Sequence, residues 1–180
     1  VKSYDTEAAV SAIAPFIGAN TLVCAYQNGL GNAECIAETA GWGRTVGVRA
    51  IYGARMTAPG AVEVTVIAQP TALGIFSAEA PGGRVRELAA LMDAAGLPTV
   101  YEEDIAPVIW AKVAYNCALN PLSALLDVPY GRLAEMQETR AVMDEVIEEL
   151  YTVGKSLGVR LAPETSAEYR QLFYNRLVPP

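Results

Sequence analysis

The sequence predicts an α/β region followed by an all-α region, with the change near residue 103. Three observations carry this. Short β-branched and apolar runs alternate with helical patterns as far as Glu102. An apolar run, Thr21 to Tyr26, leads through the turn Gln27-Asn28-Gly29-Leu30-Gly31-Asn32 into a helical segment, the order of an α/β unit. From Asp104 to the end no strand pattern is left. The regions are thus 1–103 and 104–180.

Asp5 or Thr6 can cap a first helix reaching about Phe16, with Ala9, Val10, Ile13 and Ala14 as its apolar face. The run 21–26 reads as a buried strand and Ala33 to Thr39 as a helix. Thr45 to Arg55 and Ala61 to Ala68 are β-rich around Ala58-Pro59-Gly60, which predicts a hairpin. Thr71 to Phe76 reads as a further short strand, Arg84 to Ala95 as an amphipathic helix stopped by Gly96, and Val100 to Glu102 as an edge strand. In the second region, Ile105 to Leu119 is helical, broken at Pro121 and resumed to Leu126. Gln137 to Leu157 is a long helix with Val142, Val146, Leu150, Val153 and Leu157 on one face, closed by Gly158. Its stripe suits packing within the domain or against a second copy in a homodimer. Glu164 to Leu177 is a last helix after Pro163.

Composition narrows the chemistry. With 180 residues, 52% of them hydrophobic, the chain can build a sizeable core as one large domain or two small ones. No run reaches the ~18 apolar residues of a membrane span. A net charge of −7 without any basic cluster argues against a nucleic-acid partner. The chain has no histidine, which removes Ser-His-Asp and Cys-His catalysis and most catalytic zinc sites, so no metal is expected. Cys24, Cys35 and Cys117 are odd in number and set among apolar neighbours, and they read as reduced core residues of a cytoplasmic protein. The chain opens at Val1-Lys2-Ser3-Tyr4-Asp5 and closes at Val178-Pro179-Pro180 as if in mid-domain, and it reads as a fragment.

The richest stretch is Trp110-Ala111-Lys112-Val113-Ala114-Tyr115-Asn116-Cys117-Ala118-Leu119-Asn120-Pro121-Leu122-Ser123-Ala124. Lys112, Asn116 and Asn120 recur every four residues. On a helix they share one face, with about 40° of drift per step and about 12 Å from first to last. Such a stripe is ordinarily the solvated side of an amphipathic helix. Here it carries one charge in nine residues, asparagine is a poor helix former, and Pro121 follows directly. One ammonium and two carboxamides suit a small oxygen-rich ligand, and a lysine in apolar surroundings can deliver a proton. The second candidate is Gln27-Asn28-Gly29-Leu30-Gly31. Its glycines allow a sharp turn and close approach of a ligand, and the following helix N-terminus suits an anion. The alternative is an ordinary strand-to-helix turn. No GxGxxG occurs in the chain.

A Q-N-G-x-G turn followed about 80 residues later by W-x-K-x-x-x-N-x-x-x-N-P-L-[ST]-A resembles the ketopantoate reductase family, the 2-dehydropantoate 2-reductases. The opening Val1-Lys2-Ser3-Tyr4-Asp5-Thr6 also resembles a strand-to-helix step late in that family's Rossmann domain. The resemblance implies a dinucleotide-binding domain, whose later part is 1–103, and a helical substrate domain that begins at 104–180. It implies NADPH-dependent reduction of ketopantoate to pantoate, on the route to pantothenate and coenzyme A. It implies Lys112 as catalytic lysine, Asn116 and Asn120 as substrate-binding residues, and Asn28 with Gly29 on the cofactor side. The GxGxxG segment would precede Val1, and a Ser and a Glu of a later helix would follow Pro180, so residues 1–180 alone are expected to be inactive. Where the family often has P-N-G, this chain has Pro129-Tyr130-Gly131. Tyr130 then takes the place of a substrate-binding amide, which leaves open another 2-keto acid or an opine as substrate. A non-catalytic interaction module on the same fold is the other alternative.

Overall fold

The computed structural model describes residues 1–178. Two compact units form, one of Val1–Ile105 and one that begins at Ala106.

The first unit contains α1 (Thr6–Ile13), β1 (Val23–Ala25), α2 (Asn32–Ala40), β2 (Thr45–Ala58), β3 (Ala61–Gly74), α3 (Gly82–Ala94) and β4 (Thr99–Glu102). The sheet order is β1-β2-β3-β4. The outer pairs β1/β2 and β3/β4 are parallel, and β2/β3 is antiparallel. Side chains alternate across a strand, and β1 shows the consequence. Val23 and Ala25 pack with Val10, Ala33, Ile36 and Ala40 of α1 and α2. Cys24 packs with the cluster of Val46, Val48, Leu73, Val85 and Ala89 that ties the sheet to α3. Helices therefore cover both faces of a Rossmann-type sheet.

Three details differ from the sequence reading. The second strand of the hairpin, expected at 61–68, and the strand expected at 71–76 form one strand, β3. Its last residues serve two partners, with Gly74 paired to Gly47 of β2 and to Glu102 of β4. Pro70 falls where the β2/β3 register shifts between Arg49 and Ile51, so its missing N–H costs no ladder bond. Asp5 precedes α1 but makes no side-chain cap, and Thr6 is buried rather than capping, its hydroxyl bonded elsewhere. On α1, Val10 is buried while Ile13 is exposed.

A close approach fixes the centre of this unit. A Cβ at Gly74 would lie 2.5 Å from the Glu102 carbonyl oxygen and 2.8 Å from Ile105 Cβ. One at Gly47 would lie 2.6 Å from both Ile105 and Phe76. The paired glycines leave the room that the fully buried Ile105 fills.

The second unit contains α4 (Ala106–Leu126), α5 (Tyr130–Glu135), α6 (Gln137–Ser156) and α7 (Ser166–Leu172), followed by a π-helical turn at Phe173–Leu177. Its core joins Trp110, Ala114, Ala118 and Leu119 of α4 to Leu133, Met143, Ile147, Tyr151, Tyr169 and Phe173. The expected break at Pro121 does not occur, and α4 runs through it. Pro121 removes the amide that would bond the Cys117 carbonyl, but Cys117, expected in the core, is exposed, so water can take that place. The helix ends at Asp127, whose φ is 52°. Tyr130, expected in a turn, instead opens α5 behind Pro129.

The expected α6 face is only partly inward, with Val146 and Leu150 packed against the core. Thr139, Met143, Ile147, Tyr151 and Gly154 are buried, whereas Val142, Val153 and Leu157 are exposed. Polar groups enter this core because their hydroxyls are satisfied. Thr139 donates to the Met136 carbonyl at 3.1 Å and Tyr151 to the Pro163 carbonyl at 2.9 Å. Gly154 admits Leu161, which a Cβ would meet at 3.1 Å. The last helix begins at Ser166 rather than Glu164, because Thr165 and Glu168 form a reciprocal capping box.

Gly74→Ala is expected to lower stability by about 1–3 kcal/mol through backbone overpacking. Gly83→Ala, at an exposed α3 position where a Cβ meets nothing within 4 Å, is expected to raise it by roughly 0.5–1 kcal/mol. Urea unfolding of the two variants checks the pair, and equal effects would contradict this packing.

Candidate active site

The α4 stripe follows from the core that the helix supplies. With a 100° advance per residue, Pro107, Trp110, Ala114 and Ala118 point one way, and Lys112, Asn116 and Asn120 lie roughly 160° round from them. The first four are buried. Lys112 and Asn116 are half-buried and Asn120 is exposed. Asn116 and Asn120 thus turn away from the unit's own core, and Lys112 stands at its edge, about 20° round from the buried Leu119.

Tyr130 joins this face from α5. Its hydroxyl donates to Asn120 Oδ1 at 2.6 Å, and its ring meets Tyr115 edge-on with centroids 5.9 Å apart. Tyr115 in turn packs against Phe173 at 6.0 Å. Burial, and secondarily the neighbouring Tyr130, pushes the Tyr115 hydroxyl above its ordinary pKa, so it stays neutral and cannot act as a base near neutral pH.

The backbone of the stripe is fixed from beneath. Tyr169 is fully buried, and its hydroxyl donates to the carbonyl of Ala111, beside Lys112, at 2.6 Å. Burial first, then Tyr151 and Tyr115, raises its pKa and keeps it a donor. Sequence reading missed Tyr169 and Tyr115 as supports, because aromatic residues at helical spacing carry no sign of which hydroxyl will find a carbonyl.

In the first unit, Asn28 and Gly29 lie in the turn between β1 and α2. Gly29 has φ +92° and a Cβ there would meet nothing within 4 Å, so the turn presents open backbone. A polar chain braces it. Gln27 Nε2 donates to Thr6 Oγ1 at 3.1 Å, and Thr6 Oγ1 donates to Asn32 Oδ1 at 3.1 Å. Asn32 Nδ2 donates to the Asn28 carbonyl at 3.2 Å, and the Ser3 hydroxyl reaches the same carbonyl at 3.1 Å. Thr6 and Asn32, at 3% and 5% exposure, were missed as a pair, since nothing local links residues that far apart. Among the described residues no group of three or more His, Cys, Asp or Glu could hold a metal ion, and no helix is long and apolar enough to cross a membrane.

Residues 1–78 match the family model of ketopantoate reductase PanE/ApbA. Residues 104–178 match that of the same family's C-terminal part. The chain belongs to the ketopantoate reductase family. It is 38% identical over 180 residues to the 2-dehydropantoate 2-reductase of Aquifex aeolicus (strain VF5), a match covering 100% of this chain and 58% of that protein. The crystal structure of a PanE/ApbA family ketopantoate reductase from Ralstonia eutropha JMP134 is similar, with a TM-score of 0.78 and 31% identity over 96% of this chain and 55% of that one. A D-mandelate dehydrogenase solved with NADH and anilino(oxo)acetate shares the fold, with a TM-score of 0.79 at 20% identity over 97% of this chain and 56% of that one. This member of the ketopantoate reductase family spans a little over half the length of these relatives.

Tyr169→Phe is expected to cost about 1–2 kcal/mol, because it leaves the Ala111 carbonyl short of a buried donor. Urea unfolding measures it, and wild-type stability would show that this bond does not hold α4.

Proposed function

We propose that this chain is part of an enzyme that reduces the keto group of ketopantoate to pantoate with NADPH, with Lys112 as general acid. The observation that carries this reading is the Lys112–Asn116–Asn120 stripe, held on α4 opposite its buried row. Residues 1–103 then form the later part of a dinucleotide-binding domain, and 104–180 begin the helical substrate domain. The 38% identity to a 2-dehydropantoate 2-reductase along the whole chain supports both.

NADPH, when bound, supplies the hydride. Negative charge gathers on the keto oxygen as the carbonyl is reduced. The Lys112 ammonium stabilises that charge and gives the oxygen its proton. Asn116 and Asn120 hold the carboxylate or hydroxyl of the acid through their amides without adding charge, and Tyr130 adds its phenol at the Asn120 end. Asn28 and Gly29 meet the cofactor. The open backbone at Gly29 fits that role, since no side chain stands above it. By the family resemblance Asn28 lies near the nicotinamide and the substrate.

One observation favours a second reading, a related NAD(P)-dependent dehydrogenase for another 2-keto acid. Tyr130 engages Asn120 with a phenol where the family's amide is expected. A panel of 2-keto acids offered to the whole protein separates the two.

In the whole protein that carries this chain, Lys112→Ala is expected to lower kcat roughly 10²–10⁴-fold and to leave NADPH affinity near normal. Steady-state kinetics with a fluorescence titration reads both, and near-normal turnover would end the assignment. Asn116→Ala or Asn120→Ala is expected to raise KM for the keto acid by about 1–3 kcal/mol in equivalent binding energy, with little change for NADPH. Equal shifts for both substrates would mean that these amides hold the helix together instead.

A further inference from the structure

The polar chain behind the Gln27–Gly31 turn is an unusual use of interior space. Thr6 and Asn32 are buried on α1 and at the start of α2, the two helices that share the apolar cluster of Val10, Ala33 and Ile36. Apolar side chains there would pack without needing partners. Instead four groups run in one direction. The Gln27 amide donates to the Thr6 hydroxyl, which donates to the Asn32 carbonyl oxygen, while the Asn32 amide nitrogen donates to the Asn28 main-chain carbonyl. A hydroxyl can accept one bond and give another, so Thr6 is the hinge of the chain. Both ends of the chain close on the same two-residue segment, Gln27-Asn28. That segment is followed by Gly29 and Gly31, both at positive φ, which alone give the turn little stiffness. The bonds therefore fix the orientation of one peptide, and that peptide carries Asn28.

We propose that Thr6 and Asn32 are positioning residues that hold Asn28 in the orientation from which it meets the nicotinamide cofactor. The inference rests on the assignment of Asn28 to the cofactor. The residues on α1 and the first turn of α2 thus set cofactor affinity without touching the cofactor themselves.

The test uses the whole protein and NADPH as probe. Thr6→Val keeps the side-chain shape and removes the hinge hydroxyl, whereas Thr6→Ser keeps the hydroxyl. Fluorescence titration of NADPH, the keto-acid KM and thermal unfolding are measured for each. Thr6→Val is expected to raise the NADPH Kd roughly 3–10-fold, the scale of one net hydrogen bond, and to leave keto-acid KM within about twofold of wild type. Thr6→Ser is expected to restore the Kd. Combined with Asn28→Ala, Thr6→Val is expected to add nothing further, because both act through one contact. Should Thr6→Val not fold, Gln27→Leu breaks the same chain at its half-buried end and is expected to give the same Kd shift. A lowered melting temperature with an unchanged NADPH Kd would overturn the proposal and leave Thr6 a stability residue. An unchanged Kd in Asn28→Ala would overturn the assignment of Asn28 itself, and this inference with it.

Discussion

Trp110, Ala114 and Ala118 have to turn inward, and one helical period then decides where everything else on α4 goes. The inward row joins the core of the second unit, at 8%, 0% and 1% exposure. Because side chains advance 100° per residue, Lys112, Asn116 and Asn120 are carried to the opposite side as a set. Their direction follows from core burial. The same rigidity lets Tyr169 act at a distance, since a hydroxyl placed on the Ala111 carbonyl fixes the turn of helix that bears Lys112.

The two motifs solve the problem of holding polar groups still by different means. On α4 the scaffold is regular and the anchors are aromatic, with Tyr115, Tyr130 and Phe173 in edge contacts worth about 0.5–1.5 kcal/mol each beyond burial. In the Gln27–Gly31 turn the backbone is irregular, and buried hydrogen bonds do the work instead. Each of those bonds has a desolvation cost that only complete pairing offsets. Thr6 and Asn32 meet that condition, each having a partner.

Much of this was legible in the sequence. Strand–turn–helix order, the hairpin, and the i, i+4, i+8 spacing of Lys112, Asn116 and Asn120 are local or periodic features, and the two family motifs lie within them. What was not legible depended on tertiary choice. Two β-rich stretches on either side of Pro70 merged because a register shift absorbs the proline. The α6 face of valines and leucines suited packing within the domain or against a second copy, and the buried row is instead Met143, Ile147 and Tyr151, with Val146 and Leu150 packed beside it. The Tyr151 hydroxyl enters this row because it finds a carbonyl. Pro121 failed to break α4 because the bond it forfeits lies on an exposed side. Tyr130 opens a helix rather than lying in a turn, with Pro129 in extended backbone conformation just before it.

The most direct measurement is a crystal structure of the whole protein with ketopantoate bound. The expected result is a keto oxygen within hydrogen-bond distance, about 2.7–3.2 Å, of Lys112 Nζ, with the carboxylate or hydroxyl on the Asn116 and Asn120 amides. Ketopantoate bound elsewhere, with the α4 stripe turned to water, would contradict the assignment of this face as the substrate site.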